Sequence, residues 1–381
     1  MECKDITFLL QSNKIFTFFA FNSLYNKILM LEANKKAIET WYQNQHRILP
    51  WRNTKDAYRI WLSEIILQQT RVQQGLPYYE KFLKAYPTVS DFAKAQESEL
   101  LHLWQGLGYY SRVRNMHFTA KYIVNNYKGR FPSRYEELIS LKGVGEYTAA
   151  AIASFAFELP YPAVDGNVMR VIARLYGIDD DIANAKTRKV FTGIAAEMMG
   201  DSFPSLFNQS IMEFGAMQCK PKSPDCSSCP VQDQCVAFVE NRVDQLPVKL
   251  KKTKVRNRFF NYLIIKTTEG SIYIKQRKGK GIWQNLYEFP VIESEHSISE
   301  AELLQEIHKQ YDSKSPIKIT FRSPEIKHKL SHQLLHIHFN ILSLNEIKPT
   351  FDWQEIVISQ LSDFPFPEII NKNKSLILKH I

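Results

Sequence analysis

The stretch CKPKSPDCSSCPVQDQC, Cys219 to Cys235, gathers four of the chain's five cysteines within seventeen residues. A secreted disulfide framework would scatter its cysteines along the chain. A tight cluster reads instead as a metal or iron–sulfur site in a reducing compartment. The spacing is Cys219-x6-Cys226-x2-Cys229-x5-Cys235. Four thiolates so close suit either a tetrahedral zinc or one cubane cluster. Zinc ribbons usually carry two C-x2-C knuckles, and here there is one. The asymmetric spacing therefore tilts the reading from zinc toward [4Fe–4S], while the tight clustering argues against four unligated buried cysteines.

Outward from this loop, the pattern before it is helical and the pattern after it is not. From Glu32 to about Leu246, segments such as DAYRIWLSEIILQQTRV and NVMRVIARLYG repeat apolar residues at three and four. Next comes KLKKTKVRNR (Lys249 to Arg258), with six Lys or Arg in ten residues, a linker or a phosphate-facing strap. Beyond it NYLIIKT, SIYIKQR, IKITFR and LLHIHFNIL are short and β-rich, with one helix, EAELLQEIHKQY, among them. The expected organisation is an N-terminal extension over 1–31 outside the folded core and an α-helical region over 32–247. A basic linker over 248–258 and an α+β domain over 259–381 follow.

The chain has 381 residues, 44% of them apolar, and a formal net charge of +10, which favours polyanionic partners, nucleic acid first. No apolar run is long enough to span a bilayer. The aromatic patch FTFFAF (Phe16 to Phe21) is flanked by polar residues and lacks a small-residue cleavage site, so it does not read as a signal peptide. The expectation is a cytoplasmic protein, nucleoid-associated if bacterial, with no membrane partner.

Three stretches carry candidate chemistry. In LKGVG (Leu141 to Gly145), Gly143 and Gly145 precede a helix whose first N–H groups can grip a phosphate. Alone, this is as easily an ordinary interhelical turn. No strand precedes the glycines, which argues against a nucleotide cofactor. In AVDGNVMR, Asp165 opens a helix and suits its N-cap, while its apolar, proline-bounded surroundings also suit a partly desolvated carboxylate. In WLSEIILQQT, Glu64 lies in a strongly apolar helix, on its polar stripe or in a pocket, with Gln68 one turn on. Two carboxylates of split role, one protonated and one ionised, are what cleavage through an oxocarbenium ion requires.

The cysteine spacing, together with SEIILQQT, GVGEYT and AVDGN, resembles the endonuclease III and MutY superfamily of DNA glycosylases, within it the MutY adenine glycosylases. The resemblance implies a helix-hairpin-helix core in which a structural [4Fe–4S] cluster on Cys219, Cys226, Cys229 and Cys235 supports a loop on DNA. It implies that Glu64 protonates the departing adenine and that Asp165 stabilises the positive sugar, with Asn167 orienting a carboxylate or water. Where bifunctional relatives hold a lysine, this chain has Tyr147, which forms no Schiff base. Tyr147 is expected to hydrogen-bond near Asp165 or to pack in the pocket. Gln68 and Tyr109 match wedge positions that fill the gap left by an extruded base. Arg52 and Glu213 match residues near that base, and Arg112 and Arg114 beside Tyr110 suggest a basic–aromatic surface.

Residues 259–381 resemble the MutT-like (Nudix-fold) domain that MutY enzymes carry. From Lys278 to Phe321 there is no arginine, so the pyrophosphatase motif is incomplete and the domain is expected to bind. Its KLSHQ stretch matches a Phe-Ser-His loop that recognises 8-oxoguanine, with Leu330 in place of phenylalanine and Ser331 and His332 retained. Without the resemblance, this stretch is a plain hairpin turn. The implied partner is double-stranded DNA with adenine opposite 8-oxoguanine or guanine, and the implied enzyme is a monomer that leaves the strand intact. Two other readings stand beside it: an endonuclease III-like pyrimidine glycosylase/lyase, and a non-catalytic DNA-damage-binding iron–sulfur protein.

Overall fold

The computed structural model describes residues 29–250, 255–267, 270–311, 317–344 and 352–381. The stretch 1–28 and residues 251–254 of the basic linker lie outside the described residues. The chain divides into two compact units. One takes the chain up to Ile65 and Phe131–Lys251; the other takes Ile66–Arg130 and the chain from Lys252 on.

The helices before the cysteine loop run in order as α1 (29–45), α2 (Ala57–Leu67), α3 (Val72–Ala85), α4 (Val89–Lys94), α5 (Glu97–Leu103) and α6 (Ser111–Tyr127). They continue as α7 (Tyr135–Ser140), α8 (Glu146–Phe157), α9 (Gly166–Tyr176), α10 (Ala185–Met199) and α11 (Pro204–Met217), and the short α12 (Val236–Val239) follows the cysteine loop. The first unit is built on α9. Its three-four repeat of Val168, Val171, Ile172 and Leu175 is buried against Phe207, Ile211 and Phe214 of α11 and Leu31 and Ile38 of α1. Leu31 is part of this core, so the helical region takes in residues assigned from sequence to the extension.

Both ends of α9 are specified by sequence. Asp165 caps its start, accepting from the backbone N–H groups of Asn167 and Val168. Gly177 ends it at φ +67°, and a Cβ there would meet Val236 Cγ1 at 2.6 Å. At Gly215 a side chain would stand 2.8 Å from Asn167, so this glycine lets α11 approach α9 closely beside Asp165.

In the second unit, α3 to α6 enclose an aromatic core in which Phe82 packs on Phe92 and Trp104 with ring centroids 5.9 and 5.7 Å apart. The rest is α+β, as the sequence pattern predicts. Its strands, with α13 among them, are β1 (Arg256–Ile265), β2 (Ser271–Gln276), β3 (Tyr287–Glu288), β4 (Val291–Ser294), α13 (Glu300–Tyr311), β5 (Ile317–Arg322), β6 (Ile326–Lys329), β7 (Gln333–Leu344) and β8 (Trp353–Val357). One sheet has the order β4-β1-β7-β5 with β6 also on β7, and the other is β3-β2-β8. β1 and β7 pair in parallel, with Phe260 opposite Ile337, and the buried run from Phe260 to Ile265 suits a central strand. β1 begins at Arg256, inside the stretch expected as linker.

Among the described residues, no helix is long and apolar enough to cross a membrane.

Candidate active site

Glu64 is in a pocket, not on a polar stripe. It is 7% exposed on α2, between Leu62 and Ile66, both fully buried. A buried carboxyl in such surroundings resists ionisation. Burial raises Glu64 from its ordinary value to about 7; the Tyr147 hydroxyl lowers it, the charge of Asp165 raises it and that of Arg52 lowers it. The Tyr147 hydroxyl donates to Glu64 Oε2 at 2.7 Å. The sequence left this side chain to bond near Asp165 or to pack in the pocket; it is enclosed, its hydrogen bond goes to Glu64, and Asp165 acts on it by charge. Tyr147 itself is pushed well above the ordinary phenol range, by burial first and then by Glu64 and Asp165, so it remains a neutral donor.

Asp165 is half-buried by surface yet densely surrounded by protein. Asn167 N, Asn167 Nδ2 and Val168 N donate to its two oxygens at 2.8, 2.7 and 2.8 Å. Enclosure raises Asp165 above the ordinary aspartate range, and these three donors oppose it by favouring the charged form. The N-cap and the partly desolvated carboxylate, both read from the sequence, are thus one arrangement.

Glu213, expected near a bound base, is 1% exposed and wholly engaged by protein. Its Oε1 accepts from Arg47 N and Nε at 3.0 and 2.8 Å, and its Oε2 from Arg47 Nη2 and Arg52 Nη2, both at 2.6 Å. Burial alone would raise its pKa; the two guanidinium groups outweigh that and hold it at about 2. Glu213 therefore orients both Arg47 and Arg52. Arg47 was missed from sequence, although it lies in the same RILPWR stretch as Arg52. Arg170 was also missed. It donates to Asn167 Oδ1, Gly215 O and Cys219 O at 2.9, 2.7 and 2.8 Å, joining the Asp165 turn to the start of the cysteine loop.

The two glycines of the hairpin ahead of α8 differ in conformation. Gly143 has φ +82°, whereas Gly145 is an extended N-cap with φ −96°. A Cβ on Gly145 would meet no atom within 4 Å. Lys142, Gly143, Gly145 and Glu146 are all exposed, and the helix they open carries Tyr147 in its first turn.

The four clustered cysteines are half-buried and free, and all four line one cavity with Val171, Leu175, Phe214, Val231 and Arg174. Arg174 Nη1 donates to Cys219 Sγ at 3.4 Å. Burial raises the Cys229 thiol to about 11. No three His, Cys, Asp or Glu side chains among the described residues converge as ligands of a single ion. What the four thiols share is the wall of a space, and a soft four-thiolate donor set around an apolar cavity fits an iron–sulfur cubane.

In the second unit α2 ends at Leu67, so Gln68 starts the following turn and does not ride one turn further along the helix. At this end Arg112 Nη1 donates to Ile66 O at 3.2 Å and Gln68 O at 2.6 Å. Its Nη2 donates to Leu107 O at 3.0 Å and Gly108 O at 3.2 Å. Arg114 Nη1 donates to Gln284 O at 2.7 Å. Both guanidinium groups thus serve protein carbonyls, where sequence suggested a free basic surface. Tyr109 is 52% exposed with φ +45°, and Tyr110, 5% exposed, is the core aromatic of the pair.

Ser331 and His332 form the exposed tip of the β6–β7 hairpin, closed by Leu330 N donating to Gln333 O at 2.8 Å. The Ser331 hydroxyl meets the hydroxyl of Tyr109. Glu288, in the stretch GIWQNLYEFP, is buried and paired with Arg277 at 2.7 Å, so its charge is used within the domain.

Residues 62–196 match the model of the HhH-GPD superfamily of base excision DNA repair proteins, and residues 261–374 match the NUDIX domain. The adenine DNA glycosylase of Buchnera aphidicola subsp. Baizongia pistaciae is 33% identical over 353 residues, covering 91% of this chain and 98% of that protein. The adenine DNA glycosylase of Arabidopsis thaliana is 38% identical over 291 residues, 66% of this chain and 46% of that protein. Among solved structures, a thermostable thymine-DNA glycosylase aligns with a TM-score of 0.52 and 29% identity, over 57% of this chain and 99% of its own.

Proposed function

The chain belongs to the adenine DNA glycosylases, a base-excision-repair family, and from that premise we propose that it excises adenine mispaired with 8-oxoguanine or guanine, with Glu64 as the acid. The observation that carries this reading is the pair of unlike carboxyl groups. Glu64 has one hydroxyl donor and a pKa near 7, whereas Asp165 has three donors on its oxygens. Acid and cation-facing roles separate along that difference.

The target adenine leaves the stack before reaction. Because the Tyr147 hydroxyl donates to Glu64 Oε2, the acid proton resides on Oε1. As the C1′–N bond breaks, its electron pair goes to the base, which takes that proton. The sugar is left as an oxocarbenium ion, and the Asp165 carboxylate, held by Asn167 and Val168, faces it. Water then adds at C1′ and gives its proton to the Glu64 carboxylate, restoring the acid. Tyr147 offers no amine, so no imine forms with the sugar and the strand remains intact.

Gly143 and Gly145 are assigned to a DNA phosphate at the start of α8. Arg52, oriented by Glu213, is assigned to the base pocket, Gln68 and Tyr109 to the gap it leaves, and Ser331 and His332 to the base opposite. Cys219, Cys226, Cys229 and Cys235 would hold a [4Fe–4S] cluster. When bound, the cluster supplies a structural cross-link and takes no part in glycosidic cleavage.

The test is single-turnover adenine release from duplexes with adenine opposite 8-oxoguanine, guanine, cytosine and thymine. Release is expected from the first two. Absence of release from the 8-oxoguanine duplex by cluster-loaded protein rejects the reading.

A further inference from the structure

We infer that Arg112 is a positioning residue that fixes the two loops bearing Gln68 and Tyr109 in one arrangement. Its guanidinium makes four bonds to carbonyls, two at the end of α2 and two in the Leu107–Gly108 turn. Nη1 serves one loop and Nη2 the other, so one planar group sets their separation. The guanidinium also lies 5.0 Å from the Trp104 ring centroid and 5.7 Å from that of Tyr109. The first ring is fully buried and anchors the cation; the second is half-exposed and is anchored by it.

Both loops need such a tether. Gln69 and Tyr109 hold left-handed backbone, at φ +57° and +45°, which a non-glycine residue adopts only when its surroundings impose it. Lys in place of Arg112 keeps the charge but lacks the planar fork, and a single ammonium cannot reach both pairs of carbonyls with the same geometry. The contact of Tyr109 with Ser331 extends the arrangement to the β6–β7 hairpin.

The consequence for repair rests on the reading of Gln68 and Tyr109 as residues that fill the gap left by the flipped adenine. On that reading Arg112 touches neither base nor sugar, yet base extrusion depends on it. The experiment uses the full chain and the variants Arg112→Lys, Gln68→Ala and Tyr109→Ala. It measures adenine release, the fluorescence rise of 2-aminopurine placed at the target position, affinity for a fully matched duplex, and amide exchange in residues 67–71 and 106–110. Arg112→Lys is expected to stay folded and bind matched duplex within about twofold of the parent. It should cut release and the 2-aminopurine rise at least tenfold, and add little in the Gln68→Ala, Tyr109→Ala background. Both loops should exchange faster. Unchanged exchange in the two loops overturns the positioning role outright. Parental release by Arg112→Lys, with Gln68→Ala and Tyr109→Ala impaired, overturns its part in extrusion. Parental release by Gln68→Ala and Tyr109→Ala instead removes the wedge reading, and the exchange data then decide on Arg112 alone.

Discussion

In the proposed role Glu64 acts as the acid only while it keeps its proton, and its burial is what lets it keep one near neutrality. With a pKa of about 7, the competent form dominates below that value and disappears above it. Single-turnover release should therefore fall as pH rises through about 7, and Glu64→Gln should lower it about a thousandfold below pH 7, a deficit that narrows as the parent loses its proton above it. The same shift has a thermodynamic side. The folded-state value lies above the ordinary 4.5, so the folded chain binds the extra proton between those values, and stability falls as pH rises through about 7. Glu64→Gln still accepts from Tyr147 but never carries a charge. It should be more stable than the parent at pH 8 by on the order of 1–3 kcal/mol and equal to it near pH 4, as urea unfolding at the two pH values would report. Equal stability at pH 8 would contradict the buried-acid account.

At the scale of elements, the hairpin and α8 would, on the proposed reading, bring phosphate grip and acid control together. Gly143 and Gly145 precede the helix whose first turn carries Tyr147. The two glycines answer different demands. Gly143→Ala forces a Cβ onto φ +82° and should cost about 1–2 kcal/mol in urea unfolding. Gly145→Ala meets no protein atom and should leave unfolding unchanged while weakening duplex affinity several-fold in a fluorescence titration. Full duplex affinity in that variant would remove the phosphate from this turn. The elements also mark the limit of what the sequence can convey. α9, its caps and α13 follow from local periodicity and end chemistry, which act over a few residues. The partner of the Tyr147 hydroxyl lies 83 positions away, and Glu213 meets Arg47 and Arg52 across more than 160. Such pairings are set by packing, and no local pattern encodes them. The bonds of Arg112 of α6 to the carbonyls at the end of α2 are of the same long-range kind.

Across the whole molecule, the cysteine loop is tied to the reacting groups by Arg170, which binds Asn167, Gly215 and Cys219 together. If the four thiols hold the proposed cluster, purified protein should contain about four irons and four sulfides per chain. Cys226→Ser should lose both and much of its thermal stability, whereas one zinc per chain would replace the cluster with a structural zinc site. The double duty of Asp165 reaches further. In the proposed mechanism the side chain that faces the sugar cation is also the one that starts α9, the helix on which the first unit's core is built. Asp165→Asn retains a capping oxygen, but Asp165→Ala gives up about 1 kcal/mol of helix capping as well as the charge. In a cell, those two inactive proteins have different fates. The first persists as an intact competitor for damaged DNA, and the second is thinned by proteolysis. Genetic dominance at this one position would then depend on which residue replaces the aspartate.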